Sequence, residues 1–234
     1  MNAYNITFKT NNLIIPINYH YQVQSLIYRI LKNGGCPELH DKTESNKNFK
    51  FFTFSLLSGG NYCDKKLIFK NHLNLTVRII DDNICKAFEN GIKEELILFN
   101  QKIEIKSIDI NKFNFNSNKY LIKMISPINV DRTVDNIRIF YSPTNIKFKE
   151  LINQNLKDKY YSYYKEELNE NISIEAVGNN KKYVTLYKRP NMYITGYTGF
   201  YIIECNPKSI ELLYYSGIGA RNSCGFGCFD IVEG

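Results

Sequence analysis

The apolar residues of this chain change period in the same order twice, and that doubling narrows the folds open to it. Residues 3–10 alternate as a half-buried strand does. A helix is expected over 19–33, where Val23, Leu26, Ile27, Ile30 and Leu31 form one stripe before Gly34 and Gly35 end it. Residues 51–57 are a dense aromatic strand, followed by a turn at Gly59, Gly60 and Asn61. Leu73, Leu75, Val77 and Ile79 alternate in a third strand, and Asp81, Asp82 and Asn83 can cap a helix reaching Glu94. Residues 96–110 return to strand.

The second half nearly repeats this order. A strand over 119–126 stops at Pro127. Ser142, Pro143 and Thr144 open a helix to about residue 161, with Phe148, Leu151, Ile152 and Leu156 on one side. Residues 172–177 read as a short extra strand, and 181–188 with 193–205 as a hairpin around Arg189, Pro190 and Asn191. Asn206, Pro207 and Lys208 open a last helix, and 226–232 close the chain as a strand. Two β-α-β-β-α-β units predict an α+β protein of two tandem ferredoxin-like domains, 1–112 and 119–234, joined through 111–118. This fold hosts many functions, and its four-stranded sheets often bind single-stranded RNA.

Composition removes several classes. At 234 residues and 44% hydrophobic the chain can bury a real core, which excludes disorder. Thirty Lys and Arg against 23 Asp and Glu leave a charge of +7, which points to an anionic partner. The longest stretch without a charged residue, 10–28, contains Pro16, His20 and several amides and is too polar to cross a membrane. No basic flank followed by an apolar run opens the chain, so no secretion signal is expected. Six cysteines then read as reduced thiols of a cytoplasmic protein. Only Cys224 and Cys228 are close, and their spacing has no matching second pair, so neither a metal nor a cofactor is expected.

The strongest local signal is the run from Gly217 to Gly227, which reads G-h-G-x₅-G-h-G with h apolar. Gly217, Gly219, Gly225 and Gly227 let the backbone enter positive φ and approach a ligand closely. Successive amides can then form an anion-binding concavity, with Arg221 at its middle able to fork onto a phosphate. The spacing fits neither the P-loop nor the dinucleotide fingerprint. A plain tight turn would seldom need four glycines.

This loop resembles the signature of the CRISPR-repeat endoribonucleases, the Cas-six-type enzymes that cut precursor CRISPR RNA. Other segments agree with that family in order: Ile15 to Tyr19 leading into Gln24 to Arg29, Leu39-His40, the run Lys50 to Ser55, Ser126-Pro127, Tyr141 to Pro143, and Leu156 to Tyr160. The resemblance implies a metal-independent reaction on CRISPR repeat RNA, in which the ribose 2′-OH attacks the adjacent phosphorus and leaves 2′,3′-cyclic phosphate and 5′-OH ends. It also leaves room for membership in a CRISPR effector complex and for a homodimer.

Such a reaction needs a base, an acid and positive charge on the phosphorane. His40 lies in a polar loop after the first helix, titrates near neutrality and sits where the family keeps its catalytic His. His20, at the start of the first helix, is the fallback base, and His72 reads as a surface residue. Lys50 precedes the aromatic strand, where some members place a catalytic Lys, with Lys42 and Lys47 as nearby substitutes. At about 100° per residue, Tyr28 falls away from the apolar stripe toward the polar side, so its ring can pack at an edge with the hydroxyl outward. The resemblance joins Tyr28 to His40 and Lys50. For RNA contact the candidates are Arg29 and Lys32 on that helix, the hairpin cluster Lys181, Lys182, Lys188 and Arg189, and the glycine loop. Lys147, Lys149, Lys157 and Lys159 read as the solvated face of the third helix. Two other readings stay open: a non-catalytic RNA-binding subunit of a CRISPR ribonucleoprotein, and a ferredoxin-like protein with a non-nucleic partner.

Overall fold

The computed structural model describes residues 1–37 and 49–233. The first half runs β1 (Asn2–Lys9), β2 (Leu13–Pro16), α1 (His20–Asn33), β3 (Phe52–Phe54), β4 (Asn61–Cys63), β5 (Lys66–Phe69), β6 (His72–Ile79), α2 (Asp82–Gly91), β7 (Leu96–Leu98) and β8 (Gln101–Asn111). The second runs β9 (Lys119–Met124), β10 (Asp131–Val134), β11 (Ile137–Phe140), α3 (Ile146–Tyr164), β12 (Ser173–Val177), β13 (Lys182–Leu186), β14 (Tyr193–Tyr197), β15 (Phe200–Glu204), α4 (Pro207–Ser216) and β16 (Phe229–Glu233).

Two antiparallel sheets carry the fold. One has the order β3-β6-β1-β8-β7 and the other β12-β15-β9-β16. With the added edge strand β7 set aside, both place their main strands second, third, first, fourth, with a helix after the first and after the third. Both are ferredoxin-like.

Each sheet hides one face under its helices. Tyr4, Ile6 and Phe8 of β1 are buried against the α1 stripe of Val23, Leu26, Ile27, Ile30 and Leu31. The predicted stripe is thus the observed one. Gly34 does more than end α1. A Cβ there would lie 1.7 Å from the Ala87 carbonyl oxygen, and one on Gly91 would lie 1.8 Å from that of Ile30. The two glycines let the backbones of α1 and α2 touch. In the second half Phe148, Ile152 and Leu156 of α3 meet Tyr201 and Ile203 of β15 in a separate core.

Three strand readings need correction. The strand read as extra, β12, is a principal one: it pairs with β15 along its whole length. The long 193–205 strand is two strands, β14 and β15, parted at Thr198 and Gly199, with Gly199 at φ +117°. Only β14 belongs to the hairpin, where it pairs with β13 in a two-stranded ribbon. Likewise 96–110 turns back at Phe99 and Asn100, both at positive φ, to give β7 and β8. Alternation is blind to a two-residue reversal that preserves it. The β10–β11 hairpin and the small β2-β5-β4 sheet carry no strong periodicity and arise without a sequence signal.

The halves are bolted together. Arg78 of β6 is buried, stacks 3.7 Å above the Tyr214 ring and donates to the Phe229 carbonyl and the Asp230 carboxylate. Leu56 N–H donates to the Ile125 carbonyl at 2.8 Å, and Thr53 Oγ1 to the Phe226 carbonyl at 3.0 Å. The glycine loop therefore lies on the seam between the two sheets.

Candidate functional site

The loop between α4 and β16 folds back on itself before it meets anything else. Ile218 N–H donates to the Gly227 carbonyl at 2.9 Å, and Gly227 N–H to the Pro127 carbonyl at 2.8 Å. Asn222 Nδ2 donates to the carbonyls of Ile218 and Phe226 at 3.2 and 3.1 Å. Arg221 takes the left-handed conformation, φ 60° and ψ 31°, and starts a single 3₁₀ turn over Asn222–Cys224. Glycine is required at Gly225 and Gly227. Both have positive φ, and a Cβ would lie 2.4 Å from the Phe54 ring at the first and 2.0 Å from the Ile218 oxygen at the second.

The turn separates two grooves. One, of about 680 Å³, is lined by Tyr28, Arg29, Lys32 and Pro37 from α1 and its exit, by Tyr187 and Lys188 from the ribbon, and by Cys224. The other, of about 360 Å³, is lined by Lys50, Asp131, Lys159, Gly219, Arg221 and Ser223, among others. The Tyr28 ring meets the Phe52 ring edge-on at 5.7 Å, and Phe52 lines the second groove. Tyr28 is half-buried, as its angular position on α1 implied, and burial raises the pKa of its phenol.

The structure therefore brings Tyr28, Arg29, Lys32 and Lys188 to one side of the loop, and Lys50, Gly219 and Arg221 to the other. Lys182 and Arg189 are exposed on the ribbon outside both grooves. Gly225 and Gly227 shape the loop from within, through the contacts above, and Gly217 ends α4 at φ +86°. His40, Lys42 and Lys47 lie outside the described residues. The described chain on either side of them lines the two grooves, Pro37 the first and Phe49 with Lys50 the second.

Three side chains stand differently from the sequence expectation. Arg221 is held by Asp131, through Nε at 3.2 Å and Nη2 at 3.1 Å, and Arg138 shares the same carboxylate at 2.9 Å. Its fork is aimed at a carboxylate. His20 is neither exposed nor a cap-side contact: it is 1% exposed. Nδ1 lies 3.1 Å from the Cys224 carbonyl and Nε2 2.9 Å from the Tyr183 hydroxyl, with the ring between Tyr19 and Phe226. A carbonyl only accepts, so Nδ1 carries the proton and Nε2 accepts from Tyr183. Burial lowers the His20 pKa to about 4. His20 is a neutral structural histidine and not a fallback base.

The third is Lys159. It does not belong to the solvated face of α3; it is 1% exposed, and burial lowers its pKa to about 7. Its Nζ donates to the Gly217 carbonyl at 2.5 Å and to Asn222 Oδ1 at 3.0 Å. A signal for it was present: Lys159 follows Phe148, Ile152 and Leu156 at helical spacing, on the buried stripe. Gln24 is a further residue that the sequence did not single out. It donates from Nε2 to the Ser223 carbonyl at 2.8 Å and accepts from the Tyr187 hydroxyl, tying α1 and the ribbon to the loop.

Comparison with known proteins agrees with this architecture. Residues 14–111 match the family model "CRISPR-associated protein Cas6, N-terminal" and residues 106–231 match "CRISPR associated protein Cas6, C-terminal". The chain is 28% identical over 251 residues to CRISPR-associated endoribonuclease Cas6 1 of Methanocaldococcus jannaschii, covering 97% of this chain and 92% of that one. It is 25% identical over 227 residues to CRISPR-associated endoribonuclease Cas6 of Pyrococcus furiosus, covering 94% and 84%. A solved structure described as CRISPR associated protein Cas6 superposes with a TM-score of 0.83 at 24% identity, over 100% of this chain and 99% of that one. The structure of a Cas6-related protein from Pyrococcus furiosus also gives 0.83, at 19% identity over 100% and 98%. Matched by family models over both of its halves, the chain belongs to the Cas6 family of CRISPR-associated proteins.

Proposed function

We propose that this protein is a metal-independent endoribonuclease that cuts CRISPR repeat RNA, leaving 2′,3′-cyclic phosphate and 5′-OH ends. The observation that carries the reading is the pair of grooves flanking the glycine loop. One offers Tyr28 with Arg29, Lys32 and Lys188, and the other offers Lys50 together with the backbone of the glycine loop. A strand of RNA laid along the seam meets cations for its phosphates on both sides of a fixed loop.

The backbone supports phosphate binding directly. The Ile218 carbonyl is taken by Asn222, and in a trans peptide the following N–H points the opposite way. Among the described residues the amides of Gly219, Arg221, Asn222 and Ser223 donate to no acceptor. These four residues line the second groove, where such amides suit an anionic oxygen.

In this reading His40 moves the proton of the 2′-OH or the leaving oxygen, Tyr28 orients or donates, and Lys50 stabilises the phosphorane. The two sheets belong to two domains, 1–112 and 119–234, with the substrate on the seam where they are joined. The repeat RNA is the partner; an effector complex and a second copy of the chain remain further expectations of the family resemblance. The chemistry is tested with the protein's own repeat RNA in excess EDTA. Cleavage is expected to continue at an unchanged rate and to give product ends resistant to phosphatase until acid opens the cyclic phosphate. Loss of cleavage in EDTA, restored by added divalent ions, contradicts the reading.

A further inference from the structure

Lys159 stands where α3 should present an apolar residue. Its own helix carries Lys147, Lys149 and Lys157 in exposed or half-exposed positions, whereas Lys159 is sealed from solvent. A buried ammonium costs desolvation energy that a leucine or methionine at the same position would avoid. What it touches gives the compensation. The ammonium holds the Gly217 carbonyl, which ends α4, and the Asn222 side chain. Asn222 in turn holds the carbonyls of Ile218 and Phe226. Three loop carbonyls are thus drawn inward by one lysine–asparagine clip, and the amide edge of the loop faces the groove that Lys159 also lines.

We infer that Lys159 is a positioning residue for RNA binding, which sets the glycine loop with its amides toward a backbone phosphate and adds its own charge beneath them. The inference rests on the proposed role of this groove in holding RNA. Lys159 need not touch the substrate. Arg221 is already committed to Asp131, so the loop's own cation is matched by a carboxylate and the charge from below gains weight. Burial has lowered the Lys159 pKa to about 7, and a phosphate above it favours the protonated form.

The test measures affinity for a repeat RNA made uncleavable by a 2′-deoxy residue, across a salt series, alongside thermal unfolding and the single-turnover rate at saturating cleavable RNA. Lys159→Met is expected to bind about tenfold more weakly, the loss of roughly one charge-assisted interaction. Its log–log salt slope should be shallower by about 0.7–0.9, one phosphate's share. The saturated rate should change by less than about threefold, well below the loss from a proton-transfer group. A residue needed only for folding would lower the melting temperature and leave the salt slope alone. A folded Lys159→Met with wild-type affinity and slope overturns the inference. If that variant does not fold, Asn222→Ala decides, since it opens the clip and keeps the charge: weaker binding at an unchanged slope supports the inference, and wild-type affinity overturns it. Wild-type binding that ignores salt would instead overturn the RNA reading itself, and this inference with it.

Discussion

His40→Ala is expected to slow single-turnover cleavage of repeat RNA by about 10²–10⁴-fold while leaving affinity within about threefold of wild type. The split follows from where binding and proton transfer reside. In the proposed function the phosphates are held by the cations of the two grooves and by the amides of the glycine loop, so affinity does not depend on the group that moves the proton. The proton, by contrast, needs a group that titrates near neutrality. The sequence holds three histidines. His20 is sealed between two aromatic rings with both ring nitrogens engaged, and His72 is exposed at the start of β6. His40 is the remaining one, and in the chain it falls between Pro37, which lines the first groove, and Phe49, which lines the second. A fully active His40→Ala would remove it from the mechanism.

The second large effect concerns stability. Wild-type protein should lose up to about 3 kcal/mol of unfolding free energy from His20 alone as the pH falls from 6.5 toward 4. The sign follows from the two states. In the unfolded chain His20 takes up a proton below its ordinary value of 6.5, whereas in the folded protein it does so only below about 4. Between those values the unfolded state binds more protons, so acid favours it. The contribution is complete above 6.5 and is lost as the pH drops through that window. Replacement by phenylalanine keeps a ring between Tyr19 and Phe226 but removes the titration. His20→Phe should be less stable at neutral pH, because the Cys224 carbonyl and Tyr183 hydroxyl lose their partner. Its urea-unfolding free energy should then fall less steeply with acid, by about 1 kcal/mol per pH unit. Parallel pH profiles for the two proteins would show that His20 is not held neutral by burial.

His20 also shows how far the sequence could be read. As the first residue of α1 it was correctly placed on a helix, but a helix start is no guide to exposure. Its burial comes from Phe226 and Cys224, some two hundred positions later in the chain, which no local pattern announces. The same holds for Arg221. Its place in a glycine-rich turn was legible, and its engagement by Asp131 was not, because that carboxylate lies on β10, a strand without a periodic signal. What was legible was whatever repeats: the α1 stripe, the alternation in β1 and β6, and the doubled element order. Lys159 lies between these cases. Its spacing after Phe148, Ile152 and Leu156 marked it as buried, but residue type argued for solvent, and geometry won because the loop supplies two acceptors for its ammonium. The single strand expected over 193–205 divides for a related reason: alternation continues across Thr198 and Gly199 while the chain changes sheets.

The glycine loop is the place where sequence and structure meet most fully. Its glycines are needed, three of them, Gly219, Gly225 and Gly227, because a Cβ would collide with backbone or an aromatic ring. Their effect is to press a short turn against α1, with Gln24 and His20 on one flank and the Lys159–Asn222 clip on the other. The loop is thus a rigid divider on the seam of two sheets, and the RNA reading uses it as such.

The most direct test of that reading is a single atom. Repeat RNA carrying a 2′-deoxy residue immediately 5′ of the scissile phosphate, mixed with excess wild-type protein, should bind with normal affinity and give no product after the unmodified RNA has been cut to completion. Cleavage of the deoxy RNA at the same phosphate would mean that the attacking oxygen comes from elsewhere, and the account of a strand severed by its own ribose would be wrong.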